Sequence, residues 1–247
     1  MRNAAIALVL AVLIWGCGEE RPLEEYNLVK GEGFYAVDLP TADGTKWTYS
    51  NGEHTFSLTV KGTYMVGGVT CRVLESDSDR PTDYLSASGR YLTVRGQFLN
   101  FPLRVKRRYF YKDTSGYYEM GFDMELPEYG LELIHQVFYP RRLIWRFPMR
   151  VGDEWEVFRK ESFPEFRLVR RVVSKEPVEL PGGSVKEGYV AEDYVSNYGE
   201  PLSDEPVARY WLVPGAGVAK YEYLDEPTGK WVRYKLIYLF VPPRIGP

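Results

Sequence analysis

The chain is poor in the residues from which reactive centres are usually built. Its 247 residues contain two cysteines, Cys17 and Cys71, and two histidines, His54 and His135. The histidines stand far apart in the sequence and share no metal-ligand spacing with either cysteine, which argues against a zinc site. No Gly-x-Ser-x-Gly turn marks a hydrolase nucleophile, and no glycine-rich loop leads into a helix to cradle phosphate. Helical periodicity is missing. The uncharged apolar stretch Ala4–Trp15 falls short of the roughly 18–20 residues a mature membrane-spanning helix needs. Positive charge is not in excess either: 31 basic against 34 acidic side chains give a net charge of −3, which is not a nucleic-acid-binding balance.

What is abundant is aromatic. Phe, Trp and Tyr make up 15% of the chain, with 20 tyrosines among them, and such side chains suit pleated, half-buried surfaces. Alternation with period 2 recurs almost everywhere and predicts an all-β fold of about 11–14 strands. The expected architecture is an antiparallel curved sheet, a half-barrel or a β-sandwich. In 119–126 the alternation puts Met120, Phe122, Met124 and Leu126 inward and Glu119, Asp123 and Glu125 in water. In 231–241 it puts Val232, Tyr234, Leu236, Tyr238 and Phe240 on one face. The opposite face turns apolar at Ile237, Leu239 and Val241, so the strand should end covered on both sides. Turns are expected at Gly67-Gly68, Asp113–Gly116, Gly182-Gly183 and Pro214–Gly217, and Pro242-Pro243 should stop the last strand.

One pattern occurs twice. Pro40, Gly44 and Trp47 share their spacing with Pro148, Gly152 and Trp155, and each set is followed by a Gly-Gly turn. The physical reading is a strand entry: proline ends one segment, glycine turns, and tryptophan caps the core. An internal division into halves 35–140 and 141–247 follows from it.

At the other end, Arg2, the apolar Ala4–Trp15 and Gly16 precede Cys17. This layout resembles the signal peptide of bacterial lipoproteins. The resemblance implies removal of 1–16, acylation of Cys17, and a charged, Pro-containing spacer over 17–34 ahead of an all-β domain at 35–247. Cys17 would then hold the protein in the cell envelope, since two or three buried acyl chains dissociate very slowly. Gly18 is not the aspartate that retains such proteins in an inner membrane, so the outer membrane is favoured. Phe147–Trp155 and Tyr210–Tyr221 also resemble segments of uncharacterised bacterial lipoproteins, and the whole is remotely similar to lipoprotein carriers and acceptors of the Lol type. That last resemblance implies a curved half-barrel with an apolar concave face and carries over no residue.

With Cys17 acylated, Cys71 is left without a partner and is expected in the core beside Val69 and Val73. His135 reads as a partnered core or interface residue, and Ser76-Asp77-Ser78-Asp79 as a surface turn rather than a calcium loop. Glu192 and Asp193, as strand neighbours, point to opposite faces and cannot share one reaction. The basic runs that include Arg104, Lys106, Arg108, Arg142 and Arg170 could meet anionic lipid, but cross-strand pairing with carboxylates is the favoured reading. Catalytic residues, metal ligands and cofactors are therefore expected to be none. The chain reads as a non-catalytic binding or assembly module for an apolar ligand or an envelope protein partner. Met120, Phe122, Met124, Trp211, Tyr221 and Tyr223 are the candidate ligand-facing residues. The competing reading is a hydrolase of envelope polymer, with carboxylates brought together by the fold.

Overall fold

The computed structural model describes residues 33–84, 93–94, 97–98, 104–126, 131–161, 165–197, 199–226 and 228–243. Cys17, the expected signal segment 1–16 and most of the expected spacer lie outside them. The strands are β1 (Lys46–Ser50), β2 (Thr55–Val66), β3 (Val69–Ser76), β4 (Thr93–Val94), β5 (Gln97–Phe98), β6 (Arg104–Lys112) and β7 (Gly116–Leu126). They continue with β8 (Leu131–Arg146), β9 (Glu154–Lys160), β10 (Phe166–Glu179), β11 (Val185–Asn197), β12 (Ala208–Val213), β13 (Gly217–Asp225) and β14 (Lys230–Phe240). Twelve of them form one antiparallel sheet in the order β8-β7-β6-β3-β2-β1-β14-β13-β12-β11-β10-β9, with β4 and β5 paired separately. The sheet curls into a nearly closed barrel. The all-β expectation holds, in the form of one curved sheet.

The sheet order repeats. Strands β1, β2, β3, β6, β7 and β8 make one six-stranded meander, and β9 to β14 make a second in the same sense. The recurring Pro-Gly-Trp pattern opens each. Gly44 (φ 83°) donates its N–H to the Val60 carbonyl, and Gly152 (φ 92°) donates to Val172, both at 2.8 Å. A left-handed residue is needed at each of these turns, and glycine adopts it without steric cost. Trp47 and Trp155 follow as the second residues of β1 and β9, both buried. The repeat divides after β8, at Phe147, rather than at 140, because β8 runs on through Tyr139 and Pro140 to Arg146.

The inner face carries the main core, which includes Trp47, Tyr49, Trp145, Trp155, Leu168, Leu212, Tyr221, Tyr223 and Tyr234. Two smaller clusters lie on the outer face. One holds Cys71, Val73, Tyr109 and Met120, and the other Val178, Val190, Trp211, Val213 and Ala219. Burial of Cys71 agrees with the expectation and pushes its thiol pKa up, which makes it a poor nucleophile.

Several ladders carry bulges, and in β7 and β14 they overturn the expected faces. In β7, Tyr109 pairs with Gly121 and Phe110 with Glu119, which leaves Met120 as an extra residue. The bulge turns Glu119 to the inner face, where it is fully buried, while Asp123 keeps its outward face and is 3% exposed because Tyr109 and His135 pack over it. Both were expected in water. In β14, Tyr49 pairs with Leu236 and Thr48 with Tyr238, so Ile237 is the extra residue. Tyr234 and Leu236 stay in the core, while Ile237, Tyr238, Phe240 and Val241 are 41–51% exposed. Among the described residues, the expected cover on both sides of that strand end is not seen.

A cavity on the inner face and its charged wall

The inner face lines a partly open cavity of ≈170 Å³. Its apolar wall includes Leu39, Trp47, Leu58, Phe110, Ile144, Trp145 and Val218, contributed by both meanders. Tyr49, Tyr117, Tyr210 and Tyr221 add phenol groups, and Asp83, Arg108 and Arg170 supply charge.

Arg108 (β6) reaches Asp83 at 2.6 Å and Glu119 at 3.1 Å, and Arg142 (β8) lies 3.5 Å from the other Glu119 oxygen. Arg170 (β10) holds Asp193 (β11) through two bonds of 2.6 and 2.7 Å and donates a third, of 2.9 Å, to the Ile144 carbonyl. The guanidinium planes also stack. Arg170 lies 4.0 Å over Trp145 and 4.4 Å over Tyr210, and Arg142 lies 3.4 Å over Phe138 and 4.2 Å over Phe158. Burial alone would weaken each charge. For Arg108 and Arg170 the paired carboxylates outweigh it and hold the guanidinium above its ordinary range. For Arg142 burial wins and lowers the pKa to about 10, which still leaves it charged at neutral pH. Such pairs contribute little net stability, yet removing one partner strands the other in a low-dielectric site.

These arginines account for part of the basic runs. Arg108, Arg142 and Arg170 face inward, and the outer members pair across strands: Lys106 with Glu125, Arg107 with Glu75, Arg167 with Glu156, and Arg171 with Glu154. A register shift between Val105 and Arg107 puts Lys106 and Arg108 on different faces, contrary to simple alternation. Glu192 and Asp193 do point apart: Asp193 goes to Arg170, and Glu192 accepts from Arg209 and from the Tyr194 hydroxyl.

The predicted ligand-facing residues divide between the two faces. Tyr221 lines the cavity and Tyr223 stacks beside it at 6.4 Å. Phe122 and Met124 lie on the inner face, paired with the cavity residues Arg108 and Val105. Met120 and Trp211 lie on the outer face, the first because of the bulge. The Trp211 indole donates to Glu176 at 3.0 Å and sits under Lys220. Sequence reasoning missed Arg108, Arg170, Asp83 and Tyr210 as cavity residues. Gly121, isolated within a strand, was the available signal for the bulge. A Cβ there would run into the Gln136 carbonyl.

Asp123 faces a second, outer hollow of ≈280 Å³ with Tyr64, Arg107, Tyr109 and His135. It accepts from the Tyr109 hydroxyl and pairs with His135 Nδ1, both at 2.6 Å. His135 is thus partnered, on the outer wall rather than in the core. His54 lies 3.0 Å from the Ser78 hydroxyl. Among the described residues no group of three or more His, Cys, Asp or Glu side chains could hold a metal ion.

No family model and no curated protein matches the chain. Two crystal structures show a low-scoring similarity to it. One is a candidate lipoprotein from Parabacteroides distasonis, 12% identical, covering 85% of this chain and 100% of that one, with a TM-score of 0.39. The other is a candidate exported protein with a YmcC-like fold from Bacteroides fragilis, 13% identical, covering 84% and 99%, with a TM-score of 0.33. At these scores the likeness carries no argument about fold, site or activity.

Proposed function

We propose that this protein is an envelope lipoprotein, anchored through Cys17 and favouring the outer membrane, whose barrel works as a non-catalytic binding module. The observation that carries the binding role is the cavity itself: a mostly apolar, aromatic chamber into which both meanders contribute. Its charged wall supports a non-catalytic reading. Asp83, Glu119 and Asp193 are each ion-paired to arginine, so each carboxylate is already engaged within the wall. The anchoring part rests on the sequence layout around Cys17. An envelope protein partner, docking elsewhere on the barrel, is compatible with the same role.

Native mass spectrometry of protein purified from its host tests the binding role. The expected result is an adduct displaced by a small aromatic compound. A clean apo mass together with no uptake of such compounds would remove it. Separately, Cys17→Ser should abolish retention in the membrane fraction, and unchanged retention would remove the anchor.

A further inference from the structure

We infer that one end of the barrel is a membrane-contacting surface. The rim that carries Val37, Met65, Val151, Val185, Phe240 and Val241 rests on the apolar boundary of a lipid bilayer and turns the opposite end away from it. This rests on the anchor at Cys17 proposed above and adds an orientation to it.

Topology places the rim. In an antiparallel sheet of this order, the starts of β1 and β9 and the ends of β8 and β14 fall at one end, together with the β2–β3, β6–β7, β10–β11 and β12–β13 turns. The first described residues are fastened across that same end. Phe34 bonds to Met149 just ahead of β9, and the Asp38 carbonyl accepts from Gly215 in the β12–β13 turn. Lys112, at the end of β6, donates to the Ala36 and Leu39 carbonyls.

Exposed apolar side chains gather there. The six rim residues are 41–63% exposed, whereas at the opposite end Trp231 is the one large apolar side chain so exposed among the described residues. Single exposed apolar residues are ordinary, but several on one rim mark a contact. The repeat supplies both flanks. Met65 precedes the Gly67-Gly68 turn and Val185 follows the Gly182-Gly183 turn, on hairpins that run past their ladders with β1 and β12.

The tether selects the occupant. Cys17 lies sixteen residues before Gly33, a reach of at most about 55 Å. For the opposite end to face the bilayer, that chain would have to run almost straight past strands as long as the 16 residues of β8, about 53 Å. With the rim down, no such reach is needed. Charge does not decide the contact, because exposed Arg150 and Lys186 share the rim with exposed Glu179 and Glu187.

Spin-label accessibility on the acylated full-length lipoprotein tests this in phosphatidylcholine vesicles, with and without phosphatidylglycerol. One nitroxide is placed on Met65→Cys, on Val185→Cys, or on Glu53→Cys in the β1–β2 turn at the opposite end. Acylation blocks Cys17 and burial shields Cys71. The ratio of oxygen to nickel-chelate accessibility should be severalfold higher at both rim sites than at Glu53, in both kinds of vesicle. Adding Val37→Glu and Phe240→Glu should return the Met65 label to the Glu53 value while the protein stays on the vesicles. Equal low ratios at rim and control on vesicles that retain the protein would overturn the orientation and leave the anchor standing. A rise only with phosphatidylglycerol would overturn the apolar contact, and dipolar broadening between rim labels would assign the rim to a second copy instead. If mass spectrometry finds no acyl chain on Cys17, anchor and orientation fall together.

Discussion

At the β1–β14 junction five residue pairs, from Lys46 with Phe240 to Ser50 with Lys235, join the two meanders through backbone. At the topologically equivalent β8–β9 junction the ladder ends among the described residues, and side chains take over. The Trp155 indole donates to the Leu143 carbonyl at 3.1 Å, and Arg170 donates to Ile144. Phe34 and Met149 exchange two 2.8 Å backbone bonds beside it. The matching Trp47 indole donates to the Ala216 carbonyl at 2.7 Å. The same tryptophan device therefore serves two ends of a repeated plan, once beside a ladder and once in place of one. An unpaired edge invites intermolecular pairing, and capping its carbonyls with indole and guanidinium groups removes the invitation. Ile144, Trp145 and Arg170 of this seam also line the cavity, so the seam and the chamber stand or fall together.

The largest break in this comparison should come from Asp193→Ala. It leaves Arg170 buried and unpaired at the seam and should cost about 3–5 kcal/mol of unfolding free energy, measured by denaturant titration. A loss under 1 kcal/mol would show that Arg170 finds water or another partner. Gly121→Ala comes next. The added methyl meets the β8 backbone at Gln136, and overpacking of this kind costs about 1–3 kcal/mol. Hydrogen exchange should then show weaker protection along β7 and β8, with β1 and β14 unaffected.

A matched pair of substitutions sharpens the contrast. Trp155→Phe and Trp47→Phe each delete one indole hydrogen bond to a backbone carbonyl, at roughly 1 kcal/mol plus lost packing. Amide exchange should rise across β8 and β9 in the first variant. In the second it should stay low across β1 and β14, where the ladder remains. Equal loosening at both junctions would contradict the difference.

The smallest effect is a pH dependence on the outer wall, with one carboxylate in each half. Hydrogen bonding to Lys61, chiefly, holds Glu75 below the usual carboxylate range. Burial would raise Glu222, but Lys220 and Arg233 outweigh it and lower it too. A depressed folded-state pKa stabilises fully above the unfolded value near 4.5 and is lost as pH falls through the folded value. Glu75→Gln and Glu222→Gln should therefore flatten the fall in stability below about pH 4.5. An unchanged acid limb would remove their part in it.

Much of the fold was legible locally. The turns at Gly44 and Gly152, the tryptophans that follow them and the Gly-Gly hairpins are short-range chemistry, and each appears where its residues predict. The faces of β7 and β14 were not legible from alternation alone, because one inserted residue puts the two sides of a strand out of phase. Met120 and Ile237 are those residues, and only Gly121 gave a hint. The charged wall was hidden for another reason. Arg170 and Asp193 lie 23 residues apart and Arg108 and Asp83 lie 25 apart, and period 2 says nothing of which strands become neighbours. Alternation also treats an inward arginine as an error, although a paired guanidinium stacked on Trp145 fits well there.

Anomalous diffraction from crystals grown with 4′-bromoacetophenone would test the central claim most directly. The account predicts a bromine peak in the inner cavity, beside the lining residues Trp145 and Tyr221. Saturating ligand with no interior peak, or a peak confined to the outer wall, would contradict it.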